Sequence, residues 1–193
     1  YDELSGRTMR THIRTGAMIA MLFMMSVGIA HGARDFDGLD DQVSVGSGAS
    51  LDLTIVGTIM AWANFDTAGN NVAFITRPGG TQGYFYFTRS TPANAARLTL
   101  RRDSTDTNKD TVTNYIVLDQ WRHYAVTWED GDGVRFYRNG AETDSSALAA
   151  NTTPLTNSNG TYLGSDPVVL LTYFNGFMSD VRIYNVELTA AEI

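Results

Sequence analysis

Residues 120–140, QWRHYAVTWEDGDGVRFYRNG, contain two segments in which polar and apolar side chains alternate. The second segment ends at Asn139-Gly140, and both residues of an Asn-Gly pair tolerate the positive φ of a two-residue hairpin turn. Successive side chains on a strand point to opposite faces. In the first segment, one face has Tyr124, Val126 and Trp128, and the other has Trp121, His123, Ala125 and Thr127. The stretch predicts a hairpin packed on both faces.

The same stretch is also a candidate active site, because it has two tryptophans, one histidine, three carboxylates and three arginines. His123 has no serine or cysteine nucleophile phrase nearby, which favours a structural histidine over a general base. The carboxylates of Glu129, Asp130 and Asp132 are expected in a solvated turn. The phrase DGDG at 130–133 lacks the later oxygen ligands of an EF-hand loop, so a tight turn is favoured.

Composition and spacing favour a single all-β domain. The chain has 193 residues, 43% hydrophobic content, 18 glycines and 4 prolines, and β-branched and aromatic residues recur between turn signals. The polar stretches 102–110 and 151–160 are predicted as exposed loops. Strands are predicted near 34–37, 41–45, 56–65, 72–77, 83–89, 96–102, 111–118, 121–128, 133–138, 142–148, 160–164 and 173–185.

The N-terminal region resembles an export signal. Residues 9–33 have a basic start, an apolar run and then small residues, which is the pattern of a secretory signal peptide. The run of about 14 residues is shorter than the roughly 20 that a membrane-spanning helix needs, although a membrane anchor stays an open alternative. We therefore predict an upstream extension at 1–8, a signal peptide at 9–33 and one domain at 34–193. This division predicts a secreted, cell-surface or periplasmic protein, with a bacterial origin favoured.

Charge excludes one class of partner. The formal net charge is −7, whereas a nucleic-acid partner requires basic surface to neutralise phosphates. The chain has no cysteine, so disulfides do not contribute to its stability. The remaining partners are polysaccharides or glycoconjugates and other domains of the same polypeptide, with no membrane span expected after residue 33.

Five phrases carry a resemblance to a known family. They are ARDFDGLDDQVSV (33–45), GTIMAWANF (57–65), the hairpin at 120–140, TYLGS (161–165) and FNGFMSDVRIYNVELTAAEI (174–193). In this order they resemble the laminin-G-like branch of the concanavalin-A-like lectin/glucanase superfamily. The resemblance implies an antiparallel jelly-roll β-sandwich of two curved sheets. It also implies carbohydrate binding, cell adhesion or an accessory role in a secreted enzyme, often with one bound calcium.

Catalysis is not expected. A glucanase of this superfamily would carry Glu-x-Asp-x-x-Glu on one strand, with the carboxylates on one face. The nearest match, ETDSSA at 142–147, has Ala147 in place of the last acid. The phrase GSGAS at 46–50 lacks the G-x-S-x-G spacing of a nucleophile elbow, and there is no H-E-x-x-H zinc motif.

A sugar site would combine aromatic rings with a few planar polar groups. In GYFYFTR (83–89) the tyrosines and phenylalanines occupy opposite faces, and we place the phenylalanines in the core and the tyrosines on the outer face. The alternative, that the tyrosines only cover the sheet, stays open. The predicted ligand-binding residues are Tyr84, Tyr86, Arg89, Arg101 and Tyr115.

A structural calcium is the metal hypothesis, because calcium takes oxygen ligands from acidic loops. The first and last strands of this fold tend to pair, which could bring the first turn close to the last strand. The predicted ligands are Asp37, Asp40 and Asp180. The alternative is that Asp37 caps the turn by accepting backbone N–H bonds.

The sequence as a whole predicts a secreted, non-catalytic carbohydrate-binding or adhesion module, with calcium as the hypothesis for a stabilising ion. Two alternatives remain at this point. One is an accessory domain of a larger secreted glycoside hydrolase or protease. The other is a structural module of a surface protein with no glycan ligand.

Overall fold

The computed structural model describes residues 32–53, 55–66, 72–79, 82–89, 94–155, 157–167 and 173–193, without the side chains of 85–89. The described residues form twelve strands and one short 3-10 helix, Ala49–Leu51. The strands are β1 Arg34–Asp37, β2 Val43–Gly46, β3 Val56–Phe65, β4 Val72–Arg77, β5 Gly83–Arg89, β6 Ala95–Arg102, β7 Thr105–Asp110, β8 Arg122–Glu129, β9 Gly133–Arg138, β10 Ala141–Ala147, β11 Thr161–Leu163 and β12 Asn175–Tyr184.

The strands form two six-stranded antiparallel sheets that pack face to face. Sheet A has the order β1-β12-β3-β8-β9-β10, and sheet B has the order β2-β11-β4-β5-β6-β7. The predicted all-β sandwich and the pairing of the first and last strands are confirmed. Among the described residues, no helix has the length and apolar character that a membrane crossing requires.

The two-residue period predicted for the 120–140 hairpin is confirmed. Tyr124, Val126 and Trp128 are buried in the core between the sheets, whereas Ala125 packs in a separate cluster on the outer face of sheet A. The outer face of each sheet is the face turned away from the other sheet. Asn139 and Gly140 have φ of 53° and 77°, as the predicted hairpin turn between β9 and β10 requires.

Trp128 is the largest fully buried side chain of the core. Its indole lies across Gly57 of the paired strand β3, so closely that a Cβ at position 57 would lie 2.5 Å from Trp128 Cζ2. From sheet B, the ring of Tyr84 approaches the indole with 6.4 Å between ring centroids. The two sheets therefore meet at this point through an aromatic pair, and the absence of a side chain at position 57 makes room for it.

Two of the predicted segments are wrong. Residues 105–110, predicted as loop, form the edge strand β7, and residues 111–118, predicted as strand, contain none of the twelve strands. The polar character of β7 misled the prediction, because an edge strand with one solvated face needs no apolar side chains. The apolar side chains of Tyr115 and Ile116 are buried because the chain crosses here from sheet B to sheet A.

A buried ion pair closes the end of the core where β6 and β8 finish. Arg102 Nη2 donates to Asp130 Oδ2 at 2.7 Å, and the two side chains are 4% and 2% exposed. Arg102 Nε also donates to the carbonyl of Thr153 at 2.9 Å. The expected solvated position of Asp130 is therefore wrong: its carboxylate points inward from the turn. Burial raises the pKa of the Asp130 carboxyl, and the charge of Arg102 opposes that shift.

Gly57→Ala should destabilise the fold because the added methyl group would overlap the indole of Trp128. We expect a loss of about 1–3 kcal/mol in the free energy of unfolding, measured by urea denaturation. Gly48→Ala is the matched control, since the nearest atom to its added Cβ would be 3.6 Å away and its φ is −58°. Equal stability of the Gly57 variant and the wild type would contradict this packing.

Arg102→Met should cost about 3–5 kcal/mol at neutral pH, because it leaves the Asp130 carboxylate buried and uncompensated. A carboxyl group whose pKa is raised on folding contributes stability that is fully present below its unfolded-state pKa. That contribution is lost as pH rises through the folded-state pKa. The deficit of the variant should therefore shrink as pH falls towards about 4. Urea denaturation across pH measures it. The double variant Arg102→Met with Asp130→Leu should recover most of the stability, and a deficit as large as that of the single variant would contradict the interpretation.

Candidate functional site

The outer face of sheet A has a pair of aromatic rings at its centre. Trp62 on β3 is the register partner of His123 on β8, and the ring centroids are 5.6 Å apart. The inward neighbours of Trp62, Ala61 and Ala63, are fully buried, so strand alternation turns the indole outward. The Trp62 side chain is 42% exposed, whereas His123 is buried. The indole therefore presents a free face to solvent.

The turn after β9 forms one side of this site. Asn139 donates its backbone N–H to the His123 carbonyl at 2.8 Å, and the Asn139 side-chain oxygen accepts the His123 backbone N–H at 3.0 Å. These two bonds fix the Asn-Gly turn against β8. They hold the Asn-Gly turn beside the aromatic pair.

A β-bulge in β12 forms the opposite side. Ser179 pairs with Trp62 and Arg182 pairs with Met60, so β12 has one more residue than β3 across this interval. Asp180 within the bulge has a φ of 49°. Its carboxylate accepts two bonds from Arg182, from Nε and Nη2, both at 2.8 Å. The bulge thus places a bidentate ion pair beside the aromatic rings.

The C-terminal segment packs across the outer face and forms the third side. The hydroxyl of Thr58 donates to the Val186 carbonyl at 2.8 Å and accepts the Leu188 N–H at 3.0 Å. Thr189 donates its N–H and its hydroxyl to one carboxylate oxygen of Glu192, each at 2.8 Å, which is part of a capping-box arrangement. The last turn is therefore held in place on the sheet.

These sides enclose a groove of about 400 Å³. We call it the sheet A groove, and its lining residues are Met60, Trp62, His123, Asn139, Gly140, Asp180, Arg182, Glu192 and Ile193. Burial lowers the pKa of His123, with Asp180 opposing the shift. The bonds from Thr189 lower the pKa of Glu192. At neutral pH the groove therefore presents a neutral imidazole and an ionised Glu192.

A second exposed tryptophan lies on the same face. Trp121 is 42% exposed, and its ring centroid is 6.3 Å from that of Phe177. Arg122 pairs with Ala63 on β3, so the preceding residue, Trp121, lies beside Asn64, which is the register partner of Phe177. Trp121 is therefore one outward position further along the sheet than the Trp62 and His123 pair. The two exposed indoles extend the apolar surface beyond the end of the groove.

Two of the predicted ligand-binding residues are in the core, which corrects the assignment of faces. Tyr84 is fully buried, and its hydroxyl lies 3.4 Å from that of Thr161. Tyr115 is 2% exposed, and its hydroxyl donates to the Tyr137 carbonyl at 2.7 Å. Alternation divides the GYFYFTR strand into two aromatic faces, and the structure turns the face of Tyr84 inward. Neither residue is available to a ligand in solvent.

The other predicted ligand-binding residues are far from the sheet A groove or outside the described side chains. The side chains of Tyr86 and Arg89 lie outside the described residues. Arg101 is on the outer face of sheet B, where its Nε and Nη2 donate to the two carboxylate oxygens of Asp106 at 2.6 and 3.1 Å. Parallel rungs on the same two strands join Arg97 to Asp110 and Thr99 to Asn108.

The predicted metal ligands do not converge. Asp37 pairs with Asn175, and Asp180 lies five positions further along β12, about 16 Å at the rise of a strand. Asp37 Oδ1 accepts the N–H groups of Leu39 at 2.8 Å and Asp40 at 3.4 Å, and these backbone bonds lower the pKa of Asp37. Asp37 therefore caps the turn, the alternative that the sequence left open. The three aspartates do not fit a single calcium site.

One other acidic cluster is present among the described residues. Carboxylate oxygens of Glu129, Asp132 and Glu187 lie within 4.8 Å of one another. Arg135 bonds both Asp132 and Glu187, at 2.7 and 2.5 Å. The arginine already supplies the positive charge in this cluster.

The sequence did not identify Trp62 or Arg182 as site residues. It named Asp180 only as a metal ligand and not as a residue beside the aromatic rings. It did place Trp121 and His123 on one face of their strand. A usable signal for Trp62 is its position between two alanines in GTIMAWANF, because a large aromatic residue at an outward position between small inward ones has no core to fill. No periodic pattern signals the pairing of Asp180 with Arg182, because the bulge interrupts the period of β12.

Comparison with known proteins agrees with the fold. A laminin G family model, described as the concanavalin A-like lectin/glucanases superfamily, matches residues 36–193. A search of curated protein sequences finds no match. Among solved structures, the chain is similar to domain 4 of AbnA, a GH43 extracellular arabinanase from Geobacillus stearothermophilus, in complex with arabinotriose. The identity is 20%, the TM-score is 0.60, and the alignment covers 83% of this chain and 73% of that one.

Two further structures show the range of proteins with this fold. The native heptameric SAP-like pentraxin from Limulus polyphemus is 17% identical, with a TM-score of 0.60 and coverage of 82% of this chain and 77% of that one. Domains LG4-5 of the mouse laminin alpha1 chain are 11% identical, with a TM-score of 0.63 and coverage of 83% and 44%. Since the family model matches nearly all of the described sandwich, the chain belongs to the concanavalin A-like lectin/glucanases superfamily.

Proposed function

We propose that this chain is a secreted, non-catalytic carbohydrate-binding module and that its ligand binds in the sheet A groove. The observation that carries the proposal is the exposed indole of Trp62 beside the Asp180–Arg182 ion pair and Asn139. An aromatic face stacks on the apolar face of a sugar ring, while planar polar groups bond its hydroxyls. The groove provides both kinds of contact side by side on one open surface.

The polar groups of the groove suit hydroxyl groups. A sugar hydroxyl both donates and accepts, and the Asp180–Arg182 pair offers carboxylate acceptors next to guanidinium donors. Arg182 uses Nε and Nη2 for the ion pair, and carboxylate oxygens have further acceptor capacity. The likeness to an arabinanase domain in complex with arabinotriose supports the same class of ligand.

The chemistry of the groove supports binding without hydrolysis. Glycoside hydrolysis requires a general acid whose pKa is raised so that it holds a proton at neutral pH. Glu192 has its pKa lowered, and Asp180 is engaged with Arg182. The partial glucanase motif lies on the edge strand β10, where Asp144 Oδ2 accepts the N–H of Val112 at 2.6 Å. These carboxylates therefore have structural partners in place of catalytic ones.

A place within a larger exported protein is part of the proposal. The chain corresponds to 44% of the laminin alpha1 fragment and 40% of the botulinum neurotoxin serotype G binding domain. Secretion is proposed from the export signal predicted at 9–33, which lies almost entirely outside the described residues. An accessory module of this kind would hold a partner domain of the same polypeptide close to its polysaccharide.

Trp62→Ala should weaken glycan binding by more than about tenfold in Kd, because it removes the stacking surface. Affinity gel electrophoresis against soluble arabinan, galactan, arabinoxylan and mixed-linkage glucan identifies the bound polysaccharide, and isothermal titration with its oligosaccharides gives Kd. The matched control is Val112→Ala, which trims another exposed apolar side chain, 62% exposed, outside the groove. Wild-type failure to bind any of these glycans, or unchanged binding by the Trp62 variant, would overturn the proposal.

Calcium chelation should leave both stability and glycan binding unchanged. Asp37 is occupied by backbone N–H groups and Asp180 by Arg182, so neither has to be neutralised by a metal ion. Differential scanning calorimetry and titration with and without EDTA measure this. A fall in Tm or a loss of binding that added calcium restores would show that a metal site exists.

A further inference from the structure

The charged residues of the sheet A groove determine which class of sugar it can accept. Among its lining residues, Arg182 is the cation, and the two acids are Asp180 and Glu192. His123 is neutral at pH 7 because burial lowers its pKa. The lining therefore carries a net negative charge, in a chain whose formal charge is −7.

The one cation is already neutralised with good geometry. Arg182 meets Asp180 through two parallel bonds of 2.8 Å, which is the strong bidentate form of an arginine–carboxylate pair. A uronic, sialic or sulfated sugar binds most strongly where a cation can pair with it. In this groove such a sugar would compete with Asp180 and be repelled by Glu192.

The β-bulge in β12 is the backbone feature that places Asp180 in the groove. The extra residue lets Val181 contact the core while Asp180 and Arg182 both line the groove. This arrangement requires a left-handed φ of 49° at Asp180, a conformation that residues other than glycine adopt infrequently. Bulges commonly re-aim a side chain next to a binding site.

We propose that the sheet A groove selects neutral glycans and that Asp180, by holding Arg182, is the residue that excludes anionic ones. This inference rests on the proposed carbohydrate-binding function and names its ligand class. Asp180 is a specificity-determining residue: its removal leaves the indole platform in place and removes the carboxylate that neutralises Arg182, whose other side-chain bond is to the uncharged Tyr184.

Asp180→Asn tests the inference with little risk to the fold, because asparagine tolerates the left-handed conformation. Binding of the full chain is measured by titration with oligosaccharides in neutral and acidic pairs, galactan against polygalacturonan and arabinoxylan against glucuronoxylan. The wild type should bind the neutral member at least about tenfold more tightly. The variant should gain about tenfold for the acidic member, and this gain should fall between about 50 and about 200 mM NaCl because it is electrostatic.

Asp106→Asn is the matched control, since it frees Arg101 from a similar bidentate pair on the outer face of sheet B. It changes the net charge equally and should leave the selectivity unchanged. An equal gain in both variants would mean that overall charge sets the selectivity, and would overturn the inference.

The two proposals fail in different ways. Wild-type binding of acidic glycans as tightly as neutral ones, or an Asp180 variant with unaltered selectivity, overturns the role of Asp180 while Trp62-dependent binding still supports the function. If the wild type binds acidic glycans and no neutral one, this inference alone is overturned. If it binds neither class, the proposed function and this inference are both overturned.

Discussion

The packing of Trp128 on Gly57 and against Tyr84 is the contact on which the sandwich depends. The indole fills the space between the sheets from the centre of sheet A, and the missing side chain at position 57 allows β3 and β8 to pair beneath it. Interiors are packed at crystal density, so a cavity or an overlap at this position would be felt throughout the core. The register that places Trp128 inward also places His123 outward opposite Trp62. The core and the site are therefore set by the same strand alignment.

The sequence predicts most of the fold because the central strands alternate clearly. Strand β8 has three large apolar residues on one face and smaller or polar residues on the other, which leaves a single orientation compatible with burial. Strand β7 could not be predicted, because its polar side chains show no apolar alternation. It forms a strand because it pairs with β6, a contact that its own sequence does not indicate. Residues 111–118 have the apolar content of a strand but bury Tyr115 and Ile116 in a crossing between the sheets. A segment that is buried without pairing in a sheet has the same apolar composition as a strand.

The site was harder to predict than the fold, for two physical reasons. Alternation divides the strand at 83–89 into two aromatic faces without indicating which is inside, and the choice depends on the partner sheet that Tyr84 meets at Trp128. The bulge in β12 breaks the two-residue period just where Asp180 and Arg182 enter the groove. The predicted calcium ligands Asp37 and Asp180 are not brought together, since strand pairing alone does not fix the distance between them along the strand.

The location of the groove follows from how the rest of the molecule uses its polar groups. The space between the sheets is filled by aromatic side chains, and its end is closed by Arg102 with Asp130. On the described part of the sheet B outer face, arginines and carboxylates pair rung by rung between β6 and β7. The outer face of sheet A differs, because two indoles remain 42% exposed there and a bulge brings one ion pair beside them. Burying those indoles against an apolar sugar face would remove exposed aromatic surface from water. Burial of the indoles under a sugar ring would therefore provide free energy of binding.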